Sequence, residues 1–458
     1  MAKAKICVVG AGSVTFLPNL VRDLAVTRSL HGITLVLMDV DPERLQMAKS
    51  LASRYFSEAK VDIQVQATSD RVECIKGADV VLNMASAISN QESGTMMETA
   101  ERFGYYRGID SQEWNMVNNY LTFTGYKNFK IALGVAKDIE EHSPGAWMIQ
   151  ISNPVLEMTT LIMRETKVKV LGWCHGAHNG VEQLSRMALG IDPKEVQFQA
   201  AGFNHVVFLT GFRYRGEDAY PLIDRWLKDK AQDFWRSYVL RPWEETLSKA
   251  AADMYRLYGL YPLGDTARSG TWKYHYDLET KRRWYGPIGG VDSEIGWGIR
   301  LLLYQEGFNR FRRLALDHGV DLTKELPLTR SGETIVDTMD SLINGTERRL
   351  MLNVRNDGLI TGLPNDVAVE VPVYVSGKGV RPESVGPFSK RFYSSVLYPR
   401  LQRMEWALDA FLSSTREVIV EALLRDPRTK SEAQARQAVD AVLNLPFNRE
   451  LNAHYRGS

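Results

Sequence analysis

Short apolar runs and longer amphipathic stretches alternate along the first part of this sequence. The apolar runs are rich in β-branched residues, which is typical of buried strands, whereas the amphipathic stretches repeat their apolar positions with the period of a helix. The predicted strands cover residues 5–9, 33–38, 62–66, 78–84, 147–151 and 168–171, and the predicted helices between them include 43–58 and 126–142. Strands that alternate with helices in this way predict a doubly wound parallel sheet in an α/β fold.

The pattern loosens beyond residue 210, where helices rich in Trp and Tyr are predicted at 224–238 and 242–258. Two strands follow, at 352–360 and 367–375, and the first ends in an Asn-Asp-Gly turn that favours an edge strand. Pro372 cannot donate a hydrogen bond to a ladder, so the second strand is also predicted at an edge or a bulge. The end of the chain is predicted to be helical, at 401–412, 415–424 and 431–443.

A glycine turn follows the first predicted strand. Glycines at positions 10 and 12 let the backbone approach a pyrophosphate at the positive end of the next helix. Asp39 ends the second strand, where the adenosine ribose 2′-hydroxyl of NAD would lie. A purely structural strand-turn-helix is the alternative. The residues predicted to bind NAD are Gly10, Gly12, Ser13, Asp39 and Asn83, the last at the end of a later buried strand.

A thiol and an imidazole follow the strand that ends at Gly172. Cys174 and His175 lie in a turn before a helix predicted from about 181 to 189, beyond the carboxyl end of a strand, where ligands bind in open α/β sheets. A free cysteine is often only a small buried hydrophobe. His205, beside an apolar run, needs partners for its ring nitrogens and could be structural. Together, Cys174 and His205 are candidate ligands of a divalent metal, and because two protein ligands are too few for a closed structural site, such a metal would be catalytic.

Two further segments carry candidate substrate contacts. Asn153 is biased towards an extended conformation by the proline after it, and its amide could reach a nicotinamide ribose and a sugar hydroxyl, or form an ordinary Asx turn. The loop 259–270 brings Asp265 and Arg268 together. Asp265 is a candidate general base if it faces the cleft, and otherwise an ordinary ion-pair carboxylate. The aromatic and charged stretch 272–284 suits sugar stacking or a subunit interface.

Composition limits the possible partners and compartment. The chain has 458 residues, 44% of them apolar, and its 56 basic and 55 acidic residues leave a net charge of +1. This balance indicates neither a nucleic-acid nor a membrane-surface partner, and no apolar run is long enough for a membrane span or a signal peptide. The three cysteines, Cys7, Cys74 and Cys174, are predicted to form no disulfide framework, which favours a reducing cytoplasm.

A set of motifs along the whole chain resembles the NAD- and metal-dependent glycoside hydrolases of family 4. The motifs are Gly-Ala-Gly-Ser at 10–13, Met-Asp-Val-Asp at 38–41, Tyr-Tyr-Arg-Gly-Ile-Asp at 105–110, Asn-Met-Val at 115–117, Ser-Asn-Pro at 152–154, Cys-His-Gly at 174–176, Gly-Phe-Asn-His at 202–205 and Tyr-Pro-Leu-Gly-Asp-Thr-Ala-Arg at 261–268. The Cys-His-Gly form, with the stretch 272–280, is most similar to the α-glucosidase branch that acts on unphosphorylated substrates. Family 4 α-glucuronidases and α-galactosidases also carry Cys-His variants, so these glycones stay open.

The resemblance implies a fold like that of lactate and malate dehydrogenases. We expect an NAD-binding Rossmann-like domain at 1–200 and a C-terminal α+β lobe at 201–458, which carries catalytic and oligomerisation surfaces and is tightly packed on the first domain. A homodimer or homotetramer is implied in the same way. The substrate contacts implied are Asn119, Asn153 and Arg268. Some relatives carry a carboxylate at the position of Asn119, and the amide changes the charge near the sugar.

The resemblance also implies a mechanism without net redox change. NAD⁺ takes a hydride from C3 of the glycone, and the resulting ketone acidifies the C2 proton, which Asp265 removes. Mn²⁺, or another divalent metal, on Cys174 and His205 stabilises the enolate. His175 then protonates the departing glycosidic oxygen. Water adds, and the hydride returns to the sugar.

Two other functions remain open from the residues alone. A 2-hydroxy-acid dehydrogenase would explain the nucleotide fold and Asn153, but it would not explain the pair of Cys174 and His205. A nucleotide-binding regulator would bind NAD without turnover, and Cys174→Ser would then leave its function unchanged.

Overall fold

The computed structural model describes residues 4–107, 125–269 and 277–455. The strands of this part of the chain form one mixed sheet. They are β1 (Lys5–Val9), β2 (Thr34–Met38), β3 (Gln64–Thr68), β4 (Val80–Asn83), β5 (Trp147–Gln150), β6 (Lys169–Gly172), β7 (Val196–Phe203), β8 (Val206–Tyr214), β9 (Glu217–Asp218), β10 (Pro262–Leu263), β11 (Arg348–Arg355), β12 (Ala368–Ser376) and β13 (Gly379–Pro382).

Helices connect and cover these strands. They are α1 (Leu17–Val26), α2 (Pro42–Glu58), α3 (Arg71–Ile75), α4 (Asn90–Glu101), α5 (Gly125–His142), α6 (Val155–Glu165), α7 (Gly176–Gln183), α8 (Tyr220–Asp229), α9 (Ala231–Ser237), α10 (Lys249–Tyr258), α11 (Leu278–Tyr285), α12 (Glu294–Leu316), α13 (Leu322–Glu325), α14 (Ile335–Asn344), α15 (Lys390–Phe392), α16 (Tyr398–Ser413), α17 (Arg416–Leu424), α18 (Glu432–Leu443) and α19 (Arg449–His454). The helix predicted at 181–189 begins earlier, because α7 starts at Gly176 immediately after the Cys174 turn, and it continues as a π-helix over Leu184–Leu189.

The six N-terminal strands are parallel and lie in the order β3-β2-β1-β4-β5-β6. This is the strand order of a dinucleotide-binding doubly wound sheet, and the order reverses between β1 and β4, where such folds bind their ligands. Asp41 caps α2 by accepting hydrogen bonds from the backbone N–H groups of Glu43 and Arg44, at 3.0 and 3.1 Å, which fixes where the helix starts after β2. The predicted parallel α/β sheet is confirmed.

The C-terminal strands extend the same sheet with antiparallel pairs. β11 bridges to β6 where Asn353 faces Gly172, and β12 bridges to β7 where Glu370 faces Gly202. β11 and β12 pair with each other along their length. The prediction that the first of these strands lies at an edge is wrong, because β11 lies between β6 and β12. The second strand, predicted at an edge or a bulge, does not lie at an edge either, because β12 lies between β11 and β7.

Pro372 is accommodated inside the sheet by a gap between two partner strands. On the side of β12 away from β11, pairing with β7 occurs at Glu370 and pairing with β13 starts at Val373. Pro372 lies between these partners, where its missing N–H leaves no ladder bond unmade, and its carbonyl accepts a hydrogen bond from the N–H of Glu383 at 2.8 Å. A proline therefore does not force this strand to an edge.

The cysteine prediction is also wrong for one pair. Cys7 on β1 and Cys74 on α3 form a disulfide, with their Cα atoms 5.9 Å apart. The two cysteines are 67 positions apart in the sequence, which hides the pairing, because it depends on α3 packing against β1. Cys174 is the free cysteine of the described residues. The cysteine pattern therefore gives no support to a reducing compartment.

Apolar side chains from both halves of the chain share one core. Buried residues of β1, β5, β12 and α16 belong to the same cluster, and a second, smaller cluster surrounds β8 and α8. Among the helices of the described ranges, none is both long and apolar enough to cross a lipid bilayer.

Candidate active site

The glycine turn after β1 closes tightly against its neighbours. Gly10 has a φ of +84°, and a Cβ there would lie 2.5 Å from the Cα of Ala85, so a side chain would collide with the loop after β4. A Cβ at Gly12 would lie 2.6 Å from the Cβ of Arg44. The N–H of Ser13 donates to the carbonyl of Gly10 at 3.3 Å. The turn thus brings bare backbone to the crevice, as a pyrophosphate site requires.

The two polar strand ends beside this turn differ in their contacts. Asp39 is half-buried, and its carboxylate accepts hydrogen bonds from the N–H groups of Gly12 at 2.8 Å and Asp41 at 3.0 Å. Asn83 is buried, donates to the Oε1 of Gln150 at 2.8 Å and accepts from the N–H of Ala85 at 3.3 Å. Asp39 therefore lies at the surface of the crevice, whereas the buried amide of Asn83 links β4 to β5.

Asn153 follows β5 at the same end of the sheet. Its backbone carbonyl accepts a hydrogen bond from the side chain of Asn128 at 3.0 Å. Its side-chain Oδ1 is buried and has no hydrogen-bond partner among the described residues. Because a buried polar atom without a partner is costly, this oxygen is suited to receive a hydroxyl or amide donor from a ligand. Asn119 lies outside the described residues.

Cys174 sits in the turn that leads from β6 into α7. Gly172 packs so closely that a Cβ there would lie 2.6 Å from the Oγ1 of Thr159. The Cys174 sulfur accepts a hydrogen bond from the N–H of Gly176 at 3.4 Å, and the side-chain amide of Asn204 also interacts with it. Burial raises the pKa of the Cys174 thiol, and the carboxylates of Glu370 and Asp265 raise it further. A bound cation would therefore be needed to stabilise the deprotonated form of Cys174.

His205 is presented by a tight hairpin between β7 and β8. Asn204 and His205 form the turn, and His205 has a φ of +64°, in the left-handed region that non-glycine residues rarely adopt. Such strain costs on the order of 1–3 kcal/mol and tends to occur at functional sites. Gly202 makes the hairpin possible, because a Cβ there would lie 2.0 Å from the carbonyl oxygen of Val206. Burial lowers the pKa of His205 to about 4, which favours the neutral ring that binds metals.

A chain of charged side chains runs inward from His205. Its Nε2 lies 3.3 Å from the Oδ2 of Asp265, whose other oxygen contacts the Arg268 guanidinium. Arg268 also donates to the Oδ2 of Asp292 at 2.8 Å, and both of these residues are buried. Burial raises the pKa of Asp265, but the charge and the hydrogen bond of the Arg268 guanidinium outweigh burial and hold that pKa below its usual range. Asp265 is therefore ionised and able to accept a proton.

His175 faces a carboxylate from a distant loop. Its Nδ1 lies 3.3 Å from the Oε1 of Glu333, and although burial lowers the pKa of His175, the hydrogen bond and charge of Glu333 raise it above its ordinary value. The N–H of Glu333 donates to the Oγ of Ser331 at 3.0 Å, and the N–H of Ser331 donates to Asp23 of α1 at 2.7 Å. The nucleotide-side helix thus anchors the loop that supports His175.

Glu370 is a further carboxylate beside the turn of Cys174. It lies in the middle of β12 with 1% of its surface exposed, and its Oε2 accepts hydrogen bonds from Asn204 at 3.0 Å and Asn353 at 3.4 Å. Burial raises its pKa to about 7. A charged residue inside the apolar strand predicted at 367–375 was a visible signal that sequence reasoning missed. Glu333 carries no comparable signal, because it stands in a polar loop.

The structure therefore brings most of the predicted chemistry to one place. Cys174, His205 and Asp265 converge through direct or shared contacts, with His175 and Arg268 beside them. In the described ranges, no group of three or more His, Cys, Asp and Glu side chains is arranged to hold a metal. A sulfur and an imidazole would leave the remaining positions of a divalent ion to water and substrate.

Comparison with known families matches nearly the whole chain. Residues 5–191 match the model described as family 4 glycosyl hydrolase, and residues 200–429 match the model of the family 4 glycosyl hydrolase C-terminal domain.

Three curated relatives are similar over most of their length. An α-galactosidase of Bacillus subtilis is 24% identical over 96% of this chain and 97% of its own. An α-glucosidase of Erwinia rhapontici is 23% identical, with 96% of this chain and 97% of its own covered. An α-galacturonidase of Thermoanaerobacterium saccharolyticum is 24% identical, with coverage of 92% and 91%. The similarity therefore spans relatives with different glycones.

Solved structures share the fold. A 6-phospho-α-glucosidase from gut microorganisms, in complex with NAD and Mn²⁺, superposes with a TM-score of 0.76 at 19% identity and covers 98% of this chain and 99% of its own. A lactate dehydrogenase from Eimeria maxima superposes with a TM-score of 0.53 at 16% identity, covering 90% and 96%. The expected likeness to the lactate dehydrogenase fold is confirmed.

Proposed function

Because this chain belongs to family 4 of the glycosyl hydrolases, we propose that it hydrolyses unphosphorylated α-glucosides with NAD⁺ and Mn²⁺, or another divalent metal, as cofactors. The observation that carries the proposal is the convergence of Cys174, His205 and Asp265 in one cluster. That cluster follows the carboxyl end of a parallel strand in a dinucleotide-binding sheet. A 2-hydroxy-acid dehydrogenase has no evident use for the sulfur and the strained histidine.

The residues fit both cofactors. The turn at Gly10 and Gly12 offers bare backbone beside the carboxylate of Asp39, as expected for a pyrophosphate and an adenosine ribose. Cys174 and His205 supply a soft sulfur and a neutral imidazole. When bound, NAD⁺ would accept and later return the hydride of C3, and the divalent metal would polarise the C2 and C3 oxygens of the sugar.

Two side chains are proposed to move protons. Asp265 is ionised in this environment and would take the C2 proton, with Arg268 fixing its orientation. Because its pKa is low, Asp265 is a weak base, and it can act only on a proton acidified by an adjacent ketone. His175, held by Glu333, would donate a proton to the departing glycosidic oxygen. The unpartnered amide oxygen of Asn153 would accept a hydrogen bond from the sugar or the nicotinamide ribose.

The glycone is the finer part of the proposal. The Cys-His-Gly form at 174–176 favours glucosides, and the relative from Erwinia rhapontici is an α-glucosidase. The α-galactosidase and α-galacturonidase relatives support α-galactosides and α-uronides as the second candidate. Asn119, as an amide, is proposed to contact the sugar through hydroxyl groups.

A substrate panel tests the proposal. Nitrophenyl α- and β-glucosides, galactosides, glucuronides, galacturonides and their 6-phosphates would be assayed with and without NAD⁺ and Mn²⁺. We expect hydrolysis of the α-glucoside that needs both cofactors and leaves no net NADH. Cleavage of the α-galactoside or an α-uronide alone would move the assignment to the second candidate. Net NADH with a 2-hydroxy acid and no glycoside cleavage would contradict the proposal.

The organisation of the chain is proposed with the function. We propose an NAD-binding domain at 1–200 and a catalytic and oligomerisation domain at 201–458, with β7 crossing the boundary. A homodimer or homotetramer is proposed as well. Light scattering of the purified protein would give the mass of the assembly, and a monomer would contradict this part of the proposal.

A further inference from the structure

Two polar residues occupy the centre of the antiparallel part of the sheet. Asn353 of β11 and Glu370 of β12 are direct partners in the ladder between these strands. Each is also the residue through which its strand bridges to the rest of the sheet. Asn353 faces Gly172 of β6, which leads to Cys174, and Glu370 faces Gly202 of β7, which leads to His205. The two polar side chains therefore lie between the two strands that carry the candidate metal ligands.

Asn204 connects Glu370 to both candidate ligands. Its Oε2 accepts from the Nδ2 of Asn204 at 3.0 Å, and the same Asn204 side chain interacts with the Cys174 sulfur. A side-chain amide has two N–H donors, so Asn204 can donate to the carboxylate and to the sulfur together. Asn204 also immediately precedes His205 in the strained hairpin turn. One carboxylate thus restrains the turn that presents the imidazole and the amide that meets the sulfur.

Burial of the Glu370 carboxylate costs free energy, which indicates that the residue has a role. Only 1% of the surface of Glu370 is exposed, so its carboxylate loses its hydration. Within the described residues, no lysine or arginine forms an ion pair with Glu370, and its hydrogen bonds come from the amides of Asn204 and Asn353. An apolar side chain would fit the strand without this cost, but it would leave both amides without their acceptor.

We propose that Glu370 is a positioning residue of the metal site, which holds Asn204 so that the Cys174 sulfur and the His205 ring face the same cation. The proposal rests on the proposed function, because it takes these two residues as the metal ligands. Partners of this kind behind a metal ligand typically change metal affinity by about 10- to 100-fold when they are removed.

Metal binding can be measured without catalysis. Titration with Mn²⁺, followed by electron paramagnetic resonance of the free ion, gives the dissociation constant. Substitution with Co²⁺ gives a thiolate-to-metal charge-transfer band that reports the Cys174 sulfur. We expect Glu370→Met to weaken Mn²⁺ binding by about 10- to 100-fold and to shift or weaken the band. Glu370→Gln keeps an acceptor oxygen for Asn204, so it should retain most of the affinity.

Further variants separate the contact from the fold. Asn204→Ala removes the same hydrogen bond from the other side, so it should reproduce the loss, and it tests the contact even if Glu370→Met does not fold. The double variant Glu370→Met/Asn204→Ala should lose little more Mn²⁺ affinity than either single variant, because the two substitutions remove the same interaction. Asp340→Asn is the matched control. Asp340 is as buried as Glu370, but its partners are Ser29, Asn344 and, through an ion pair at 2.6 Å, Arg348.

The outcomes distinguish the two proposals. If Cys174→Ser and His205→Ala lose Mn²⁺ but Glu370→Met and Asn204→Ala bind it like the unchanged protein, the positioning role is wrong and the proposed metal site stands. If Glu370→Gln loses as much affinity as Glu370→Met, charge rather than the hydrogen bond matters, and the positioning role is again wrong. If Cys174→Ser and His205→Ala both bind Mn²⁺ normally, both proposals fail.

Discussion

Arg268 is the cation on which the buried carboxylates of the site depend. It contacts Asp265 and, at 2.8 Å, Asp292, while only 2% of its surface is exposed. Removing one partner of a buried ion pair leaves an uncompensated charge, so Arg268→Ala should lower the free energy of unfolding by about 3–5 kcal/mol. Urea denaturation measures this change.

The control for Arg268 is an ion pair at the surface. Arg215 and Glu195 form an exposed pair at 2.9 Å, and exposed pairs contribute little to stability. Arg215→Ala should therefore shift the urea midpoint much less than Arg268→Ala does. Equal shifts for the two variants would mean that Arg268 does not stabilise the site as we infer.

The proton-donating role proposed for His175 depends on its contact with Glu333. The acid is needed for a poor leaving group such as an alkyl alcohol, whereas nitrophenolate leaves without a proton. Glu333→Gln should therefore lower kcat for an alkyl α-glucoside by about tenfold or more, and much less for the nitrophenyl α-glucoside. Glu417→Gln, in a distant surface pair with Arg436, serves as the control. An equal loss on both substrates would contradict an acid role for His175.

The residues that could be predicted from sequence are those that carry motifs. Cys174 and His205 stand out because a thiol and an imidazole follow apolar strands, and the structure brings them to shared neighbours. Glu333 could not be predicted, because its contact with His175 joins residues 158 positions apart through a loop without a pattern. Glu370 could have been found, because an ionisable residue inside an apolar strand is itself informative.

The hairpin of β7 and β8 has the sharpest steric requirement among the elements of the site. Gly202→Ala would place a Cβ 2.0 Å from the carbonyl of Val206, so the hairpin cannot close with His205 in its present place. We expect loss of Mn²⁺ binding and a lower melting temperature. Gly211→Ala in the same hairpin is the matched control, since its Cβ would meet nothing nearer than 3.6 Å. If both variants bind Mn²⁺ equally, the hairpin does not set the metal site.

A similar steric argument applies to the glycine turn after β1 and predicts an effect on NAD⁺ binding. Gly10→Ala would place a Cβ 2.5 Å from the Cα of Ala85 and would distort the turn at the crevice. NAD⁺ affinity, measured by isothermal titration calorimetry, should fall by at least about tenfold, a loss of about 1.4 kcal/mol. Gly145→Ala has open space around the new Cβ and should bind NAD⁺ normally. Unchanged affinity in Gly10→Ala would place the nucleotide elsewhere.

The placement of the parallel strands in the sheet was predictable and that of the antiparallel strands was not, for a physical reason. β1 to β6 alternate with helices, and apart from β3 and β4, strands that follow one another in the sequence are neighbours in the sheet. β11 instead joins β6 across 181 positions of sequence, where Asn353 faces Gly172. Asn353, Glu370 and Pro372 all weaken the appearance of an interior strand. The two polar residues among them, Asn353 and Glu370, are also the ones that reach the candidate site.

The whole molecule is built around a sheet that does not stop at the nucleotide-binding half. β11 and β12 continue it from β6 to β7, so the thiol comes from the N-terminal half and the imidazole comes from the hairpin beyond it. The fold itself is shared with a lactate dehydrogenase, and a shared fold does not determine the function. The proposed chemistry depends on residues of both halves meeting at one edge of the sheet.

The proposed reaction makes the sugar a ketone for a short time, and only then can the weak base Asp265 remove the proton of C2. Cleavage of an α-glucoside in D₂O with NAD⁺ and Mn²⁺, followed by NMR of the released sugar, tests this directly. We predict deuterium at C2 of the product. Released sugar that keeps its original hydrogen at C2 would contradict it.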